Sequence, residues 1–274
     1  MTTFQAFLMG IVQGLTEFLP VSSTAHLLVT QSLLRIPATD DTFAFAVLIQ
    51  LGTLLSLFIF FWRDFLKILL AMLKGLRGRK PFEAADARLG WFVALGSIPA
   101  LAVGFLLRNV IKDLFHEPLL EAGIRLLVTS LLLVAAELIA RGSRHPDGMT
   151  WMDSLVVGIF QVLAIFPGAS RSGSSITGGM IRGFSRPEAT RFAFLLSAPL
   201  MLVAGAYQAR AVIILPGTHK MLPLLFVGFV TAAVVGWLAL LWFVRYVNRH
   251  SLYAFASYTG VVGLACLAAF FLLP

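Results

Sequence analysis

The chain is short of charge and nearly without thiols. Only 12% of its 274 residues are Asp, Glu, Lys or Arg, about half the share in a soluble domain. So few charges cannot coat a water-facing surface of this size. Cys266 is the single cysteine, which excludes an intrachain disulfide. No H-E-x-x-H, no G-x-x-x-x-G-K-[ST] and no Cys/His cluster occurs, so zincin, P-loop and zinc-finger chemistries are excluded. Segments of about ten residues with strict apolar–polar alternation are also missing, against an outer-membrane barrel. A basic leader and an A-x-A-like cleavage site are absent too, so no removable signal peptide is expected.

What remains is apolar: 59% of residues are hydrophobic and the mean hydropathy is +0.91. That composition predicts an all-α polytopic membrane protein, a single integral membrane domain over residues 1–274. A helix needs about 20 apolar residues to cross the hydrocarbon. Six runs reach that length, near 43–62, 89–107, 119–140, 188–209, 222–244 and 253–273.

Two further apolar regions are too short. Residues 4–15 stop at Thr16-Glu17, then Pro20 and the hydroxyls Ser22, Ser23 and Thr24 intervene before "HLLVTQSLL". Residues 152–166 stop at "PGASRSGSS", 167–175. Interrupted segments of this kind read as re-entrant helical hairpins. They also resemble each other: "GIVQGLTEFLPVSSTAH" and "GIFQVLAIFPGASRSG" share a glutamine (Gln13, Gln161), a proline (Pro20, Pro167) and a hydroxyl-rich tip. Each precedes three spans. A hairpin returns to its own side whereas three spans end opposite, so the second copy enters upside down. The expectation is an inverted-topology repeat, about 1–142 and about 150–274, with a site where the broken segments meet.

The net charge is +8, and seven Lys/Arg crowd residues 63–88. In a soluble chain this would suggest nucleic acid; here it reads as a cytoplasmic loop, with anionic headgroups within reach. Placing it inside puts thirteen Lys/Arg on the cytoplasmic side against five outside (Arg35, Arg108, Lys112, Arg210, Lys220). Both termini then lie outside. The first hairpin dips in from the outer face and the second from the cytoplasm.

A charge at membrane depth costs about 2.5–3.5 kcal/mol at least, so Glu17 and Arg171 need partners. A Glu–Arg pin between hairpins is the structural reading. The surrounding hydroxyls and His26 favour an anion site for phosphoryl chemistry. Ser22 stands where an N-cap would, and helix N-termini favour phosphate. Arg171 offers a planar fork to phosphoryl oxygens. Ser22 and Ser23 lie four and three residues before His26, so either can share a helix face with the imidazole. The nucleophile is left open between Ser23 and His26. Gln13 and Glu17, one turn apart, suit Mg²⁺ or Ca²⁺ only with phosphate oxygens completing the shell. Elsewhere, Glu137 reads as interfacial and Arg191 as a partner of Glu188.

These residues resemble the two signature motifs of the undecaprenyl-diphosphate phosphatases, the bacitracin-resistance family. The first is carried by Gln13, Glu17, Ser22, Ser23, Thr24 and His26, the second by Pro167, Gly168, Ser170, Arg171 and Ser172, with Ser175 at the family's threonine. The resemblance implies removal of the terminal phosphate of undecaprenyl diphosphate, with a divalent cation required. It implies catalytic roles for Glu17, Ser23, His26 and Arg171, supported by Gln13, Ser22, Thr24, Gly168, Ser170, Ser172 and Ser175. The expected partners are a polyprenyl diphosphate and membrane lipids, with no nucleic acid; a homodimer stands as an alternative to the monomer. The expected location is the bacterial inner membrane, the site open to the periplasmic face. A prenyl-phosphate flippase on the same scaffold is the alternative function. The acid-phosphatase-like lipid phosphatases are disfavoured, since Gly179 stands at their lysine position before Arg186-Pro187.

Overall fold

The computed structural model describes the chain except residues 38, 108–116, 140–141, 143, 145–147, 166–168, 215–217 and 273–274. Among the described residues there are eleven helices and no strand. The first half holds α1 (Thr3–Phe18), α2 (Ser23–Leu33), α3 (Asp40–Phe60), α4 (Trp62–Arg77), α5 (Ala85–Leu106) and α6 (Pro118–Ile139). The second holds α7 (Trp151–Val162), α8 (Arg171–Ile181), α9 (Arg186–Ile214), α10 (Thr218–Val247) and α11 (Tyr253–Leu272). Helices α3, α5, α6, α9, α10 and α11 are long and apolar enough to span a bilayer. The pairs α1–α2 and α7–α8 are not.

Local chemistry sets the hairpin helices. Thr2 and Gln5 form a capping box that starts α1, and Thr150 with Asp153 starts α7 the same way. Helix α1 ends two residues before Pro20, whose ring biases Leu19 away from helical backbone; Leu19 is extended, at φ −67°, ψ 143°.

Packing between the halves is reciprocal. Helix α1 lies on α10, and α7 lies on α5. A Cβ on Gly10 would meet the Gly228 carbonyl oxygen at 2.7 Å, and one on Gly158 would overlap that of Gly96. Gln13 and Gln161 each follow three residues later. Helices α6 and α11 meet at Gly123 and Gly263. A Cβ on Gly123 would strike Leu267, and one on Gly263 would strike Leu127. Each leucine stands four residues after the other helix's glycine. Glycine is needed at these places because it lets two backbones touch.

The basic stretch after α3 is not simply a loop. Its first part is α4, whose Trp62, Leu66, Leu69, Leu70 and Leu73 stay exposed while Ile68 is buried. Leucines at i, i+3, i+4 and i+7 outweigh the charges that made the segment read as a connector. Two polar groups find partners on neighbouring helices. The Glu137 side chain is 2% exposed. It accepts from Arg186 Nε at 2.7 Å and from the Leu252 N–H at 2.8 Å, joining α6 to the starts of α9 and α11. Arg191 pairs with Asp64 on α4, and Glu188 instead accepts from the Ser185 N–H at 3.4 Å. In both cases a neighbouring helix supplied a partner that chain spacing does not show.

Asp153 anchors the start of α7. It accepts from Arg144 Nη1 and Nη2, both at 2.9 Å, from the Thr150 N–H and hydroxyl, both at 2.8 Å, and from Arg182 Nε at 2.6 Å. Burial pushes its carboxyl up, but the hydrogen bonds from Arg144, Thr150 and Arg182 outweigh this and hold it well below the usual carboxylate range.

Candidate active site

The two hairpin tips meet. The Ser172 hydroxyl donates to the Leu19 carbonyl at 2.9 Å, and a Cβ on Gly173 would lie 3.5 Å from Pro20 Cβ. Across this contact Arg171 Nη2 donates to Glu17 Oε1. Glu17, 5% exposed, takes two further donors on Oε2: Gln13 Nε2 at 2.7 Å and the Ser23 hydroxyl at 2.7 Å. Glu17, Ser23, Gln13 and Arg171 thus form one cluster built from α1, α2 and α8. Among the described residues Arg171 has no other side-chain partner, so its Nε and Nη1 donors are left for an anion.

The expected serine–histidine contact is not made. His26 Nδ1 donates to the main-chain carbonyl of Ser22 at 2.9 Å, and Nε2 lies 2.8 Å from the Tyr258 hydroxyl. The ring stacks on Tyr258, centroids 5.7 Å apart. Ser23 turns instead to Glu17, because a carboxylate is the stronger acceptor within reach. The acceptor of the Ser23 hydroxyl is therefore Glu17.

Ser22 precedes α2 as an N-cap should, but its side chain does not cap. Its φ is +65° and ψ 91°, a strained conformation for a residue with a Cβ. The N–H groups opening α2 therefore stay uncapped beside Glu17 and Arg171, which suits an anion. The Thr24 hydroxyl, half-buried, has no hydrogen bond among the described residues. Ser170 does cap α8: its Oγ accepts from the Gly173 N–H at 3.3 Å. Its own N–H donates to Thr129 Oγ1 at 2.8 Å, and its hydroxyl lies 3.1 Å from that of Ser172.

Ser175 stands one helical turn after Arg171, on the same face of α8. Its hydroxyl and that of Ser174 are buried without a hydrogen bond. Gly168, expected to bind phosphate, lies outside the described residues, as does Pro167. Sequence reading missed Tyr258, Thr129 and Ser174. The first two come from the spans α11 and α6, and nothing in their spacing points to the hairpins. Ser174 sits inside the second motif and was passed over between Ser172 and Ser175.

A hard cation has a partial donor set here. Gln13 Oε1 is buried without a partner, while the Nε2 of the same amide donates to the Glu17 carboxylate. Among the described residues no three His, Cys, Asp or Glu side chains gather to hold a metal. Glu17 and Gln13 are the oxygen-bearing side chains that would hold Mg²⁺ or Ca²⁺, with a diphosphate supplying the rest of the shell.

A family profile described as Bacitracin resistance protein BacA matches residues 6–265. Three relatives carry the name undecaprenyl-diphosphatase. One from Anaeromyxobacter dehalogenans (strain 2CP-1 / ATCC BAA-258) is 41% identical over 270 residues, 98% of this chain and 91% of its own length. One from Chloroherpeton thalassium is 38% identical over 275 residues, 98% and 96% of the two chains. One from Mycobacterium ulcerans is 40% identical over 270 residues, 97% and 96%.

Proposed function

The chain belongs to the bacitracin resistance family, and from that membership and the joined hairpin tips we propose that it hydrolyses undecaprenyl diphosphate to undecaprenyl phosphate and inorganic phosphate. This enzyme recycles the lipid carrier of peptidoglycan and other envelope polymers. Turning over the diphosphate removes what bacitracin sequesters. One observation carries the chemistry: the Ser23 hydroxyl donates to Glu17 while Arg171, from the other hairpin, holds the opposite oxygen of the same carboxylate.

The reaction runs in two displacements. Ser23 Oγ attacks the terminal phosphorus and its proton passes to Glu17 Oε2. The anhydride P–O bond breaks, and its electron pair leaves on the lipid phosphate. Arg171 Nε and Nη1, with the uncapped N–H groups of α2, stabilise the phosphoryl oxygens as charge builds. Water then attacks the phosphoserine, giving a proton to His26 Nε2, while Ser23 Oγ leaves and recovers its proton from Glu17. Glu17 and Gln13 Oε1 would hold Mg²⁺ or Ca²⁺, which when bound neutralises diphosphate oxygens.

The same proposal covers the setting. Residues 1–142 and 150–274 are inverted-topology repeats, which the reciprocal glycine contacts support. The protein sits in the bacterial inner membrane. The loop charges favour a site open to the periplasmic face, and the prenyl tail stays among lipids while the diphosphate enters.

The test is phosphate release from prenyl diphosphate by purified protein in detergent. Wild-type protein releases phosphate, and a phosphoenzyme trapped by acid quench maps to Ser23. Ser23→Ala loses both signals. Near-normal release by Ser23→Ala overturns the nucleophile assignment, and lipid translocation without any hydrolysis overturns the enzyme in favour of a flippase.

A further inference from the structure

We propose that α4 is an interfacial docking helix: its leucine face enters the lipid, and its basic edge binds the headgroups of acidic phospholipids in the leaflet it meets. The proposal goes beyond the enzymatic reading and does not depend on it.

The course of α4 follows from its ends and its contacts. Span α3 stops at Phe60 and α4 begins at Trp62, with Phe61 alone between them at φ −98°, ψ 19°. The chain therefore enters α4 at the membrane surface, with no loop to carry it away. Near the start of α4, Asp64 pairs with Arg191, the sixth residue of α9. Eight residues on, about 12 Å along a helix axis, Met72 fills the place that a Cβ on Gly90 would take. Gly90 is the sixth residue of α5. These two points on α4 meet their spans at the same depth, so α4 runs across the ends of α5 and α9, along the membrane plane.

Its sides carry different chemistry. Phe65, Ile68 and Met72 pack into the protein core. Trp62, Leu66, Leu69, Leu70, Leu73 and Leu76 form the next face and are 46–57% exposed, a contiguous apolar strip that water does not favour. Arg63, Lys67 and Lys74 stand at i, i+4 and i+11 along one edge of that strip, all exposed. The Arg63 guanidinium lies over the Trp62 ring, 5.3 Å from its centroid, and an indole beside a cation suits the headgroup layer. Asp64 is the one acidic side chain of α4, and Arg191 already holds it. The edge is therefore uniformly positive. A leucine face flanked by cations fits an acidic bilayer surface. Neutral lipid leaves the cations without counter-charge, and a second copy pairing through this face would bring the same cations against them.

Two measurements on the full-length protein test this. The first places the face. A spin label at Leu69→Cys, in a Cys266→Ser background, is read in nanodiscs of mixed phosphatidylcholine and phosphatidylglycerol. The label is expected to collide with oxygen far more than with a water-soluble nickel chelate. Preference for the chelate, or spin–spin coupling between two copies, overturns the docking. The second names the lipid. Native mass spectrometry compares phosphatidylglycerol with phosphatidylcholine of equal chain length on the unlabelled protein. Wild type prefers phosphatidylglycerol. Combining Arg63→Gln, Lys67→Gln and Lys74→Gln lowers that preference about tenfold or more, each charge counting for up to about fivefold. Combining Arg245→Gln and Arg249→Gln, exposed at the end of α10, leaves it unchanged. An unmoved preference in the α4 variant, or an equal loss in the α10 variant, overturns the basic edge as the lipid site. Neither readout involves phosphate release, which tests the enzymatic reading separately.

Discussion

The two hairpins share a plan and differ at their tips. The second helix of the first hairpin opens at Ser22 with a left-handed φ of +65° and no side-chain cap. That of the second opens at Ser170 with φ −69° and a cap on Gly173. The strained, open tip carries Ser23, His26 and the approach to Glu17. The relaxed, capped tip carries Arg171. Among the described residues, the left-handed φ at a hairpin tip thus falls where the proposed reacting groups lie, and there it leaves the opening N–H groups of α2 uncapped. The other half has only to hold a cation in place, and an ordinary capped helix does that.

Five substitutions test this division. Glu17→Gln strips the acceptor from Ser23 and the counter-charge from Arg171. Phosphate release is expected to fall by about 10³-fold or more, since a positioned base alone contributes about 10²–10⁴-fold. Loss below about tenfold would break the assignment of the reacting groups to the first tip. Arg171→Lys keeps the charge but not the fork, and steady-state kinetics should show a drop in kcat of about 10²-fold. If Lys restores normal turnover, the second tip supplies charge only. Gly158→Ala and Gly10→Ala probe what the halves share. Each pushes a methyl group into a backbone carbonyl and should cost about 1–3 kcal/mol in thermal unfolding in detergent. Gly158 should cost more, because Gly96 stands closer to it than Gly228 does to Gly10. Equal, negligible shifts would mean that the two contacts are not matched close approaches. Ser22→Gly should be the mildest, raising stability by about 1 kcal/mol by relieving the left-handed φ. An unchanged or lower midpoint would show that Ser22 stores no strain.

The spans were legible because a membrane helix is a local property of length and hydropathy. The expected run near 119–140 and the helix Pro118–Ile139 start within one residue of each other. Gln13 and Glu17 were legible as neighbours because they stand one turn apart, and Arg171 as a partner of Glu17 because a buried charge must find its opposite. Chain spacing misled where it allowed several partners. Ser22 and Ser23 were both within a turn of His26, yet the ring took the Ser22 carbonyl and the Tyr258 hydroxyl instead of a serine hydroxyl. Arg191 had Glu188 nearby but reached Asp64. Helix α4 was hidden by its own charges.

Sequence alone thus determined how many helices cross, which two fall short, and which side chains the short ones carry, since each follows from apolar length or from residues within a few turns. Only the tertiary structure decided which groups touch. It gave Glu17 to Ser23, Tyr258 to His26 and Arg186 to Glu137, because a buried donor or acceptor goes to the best partner that packing brings within about 3 Å, and packing joins helices that may be two hundred residues apart.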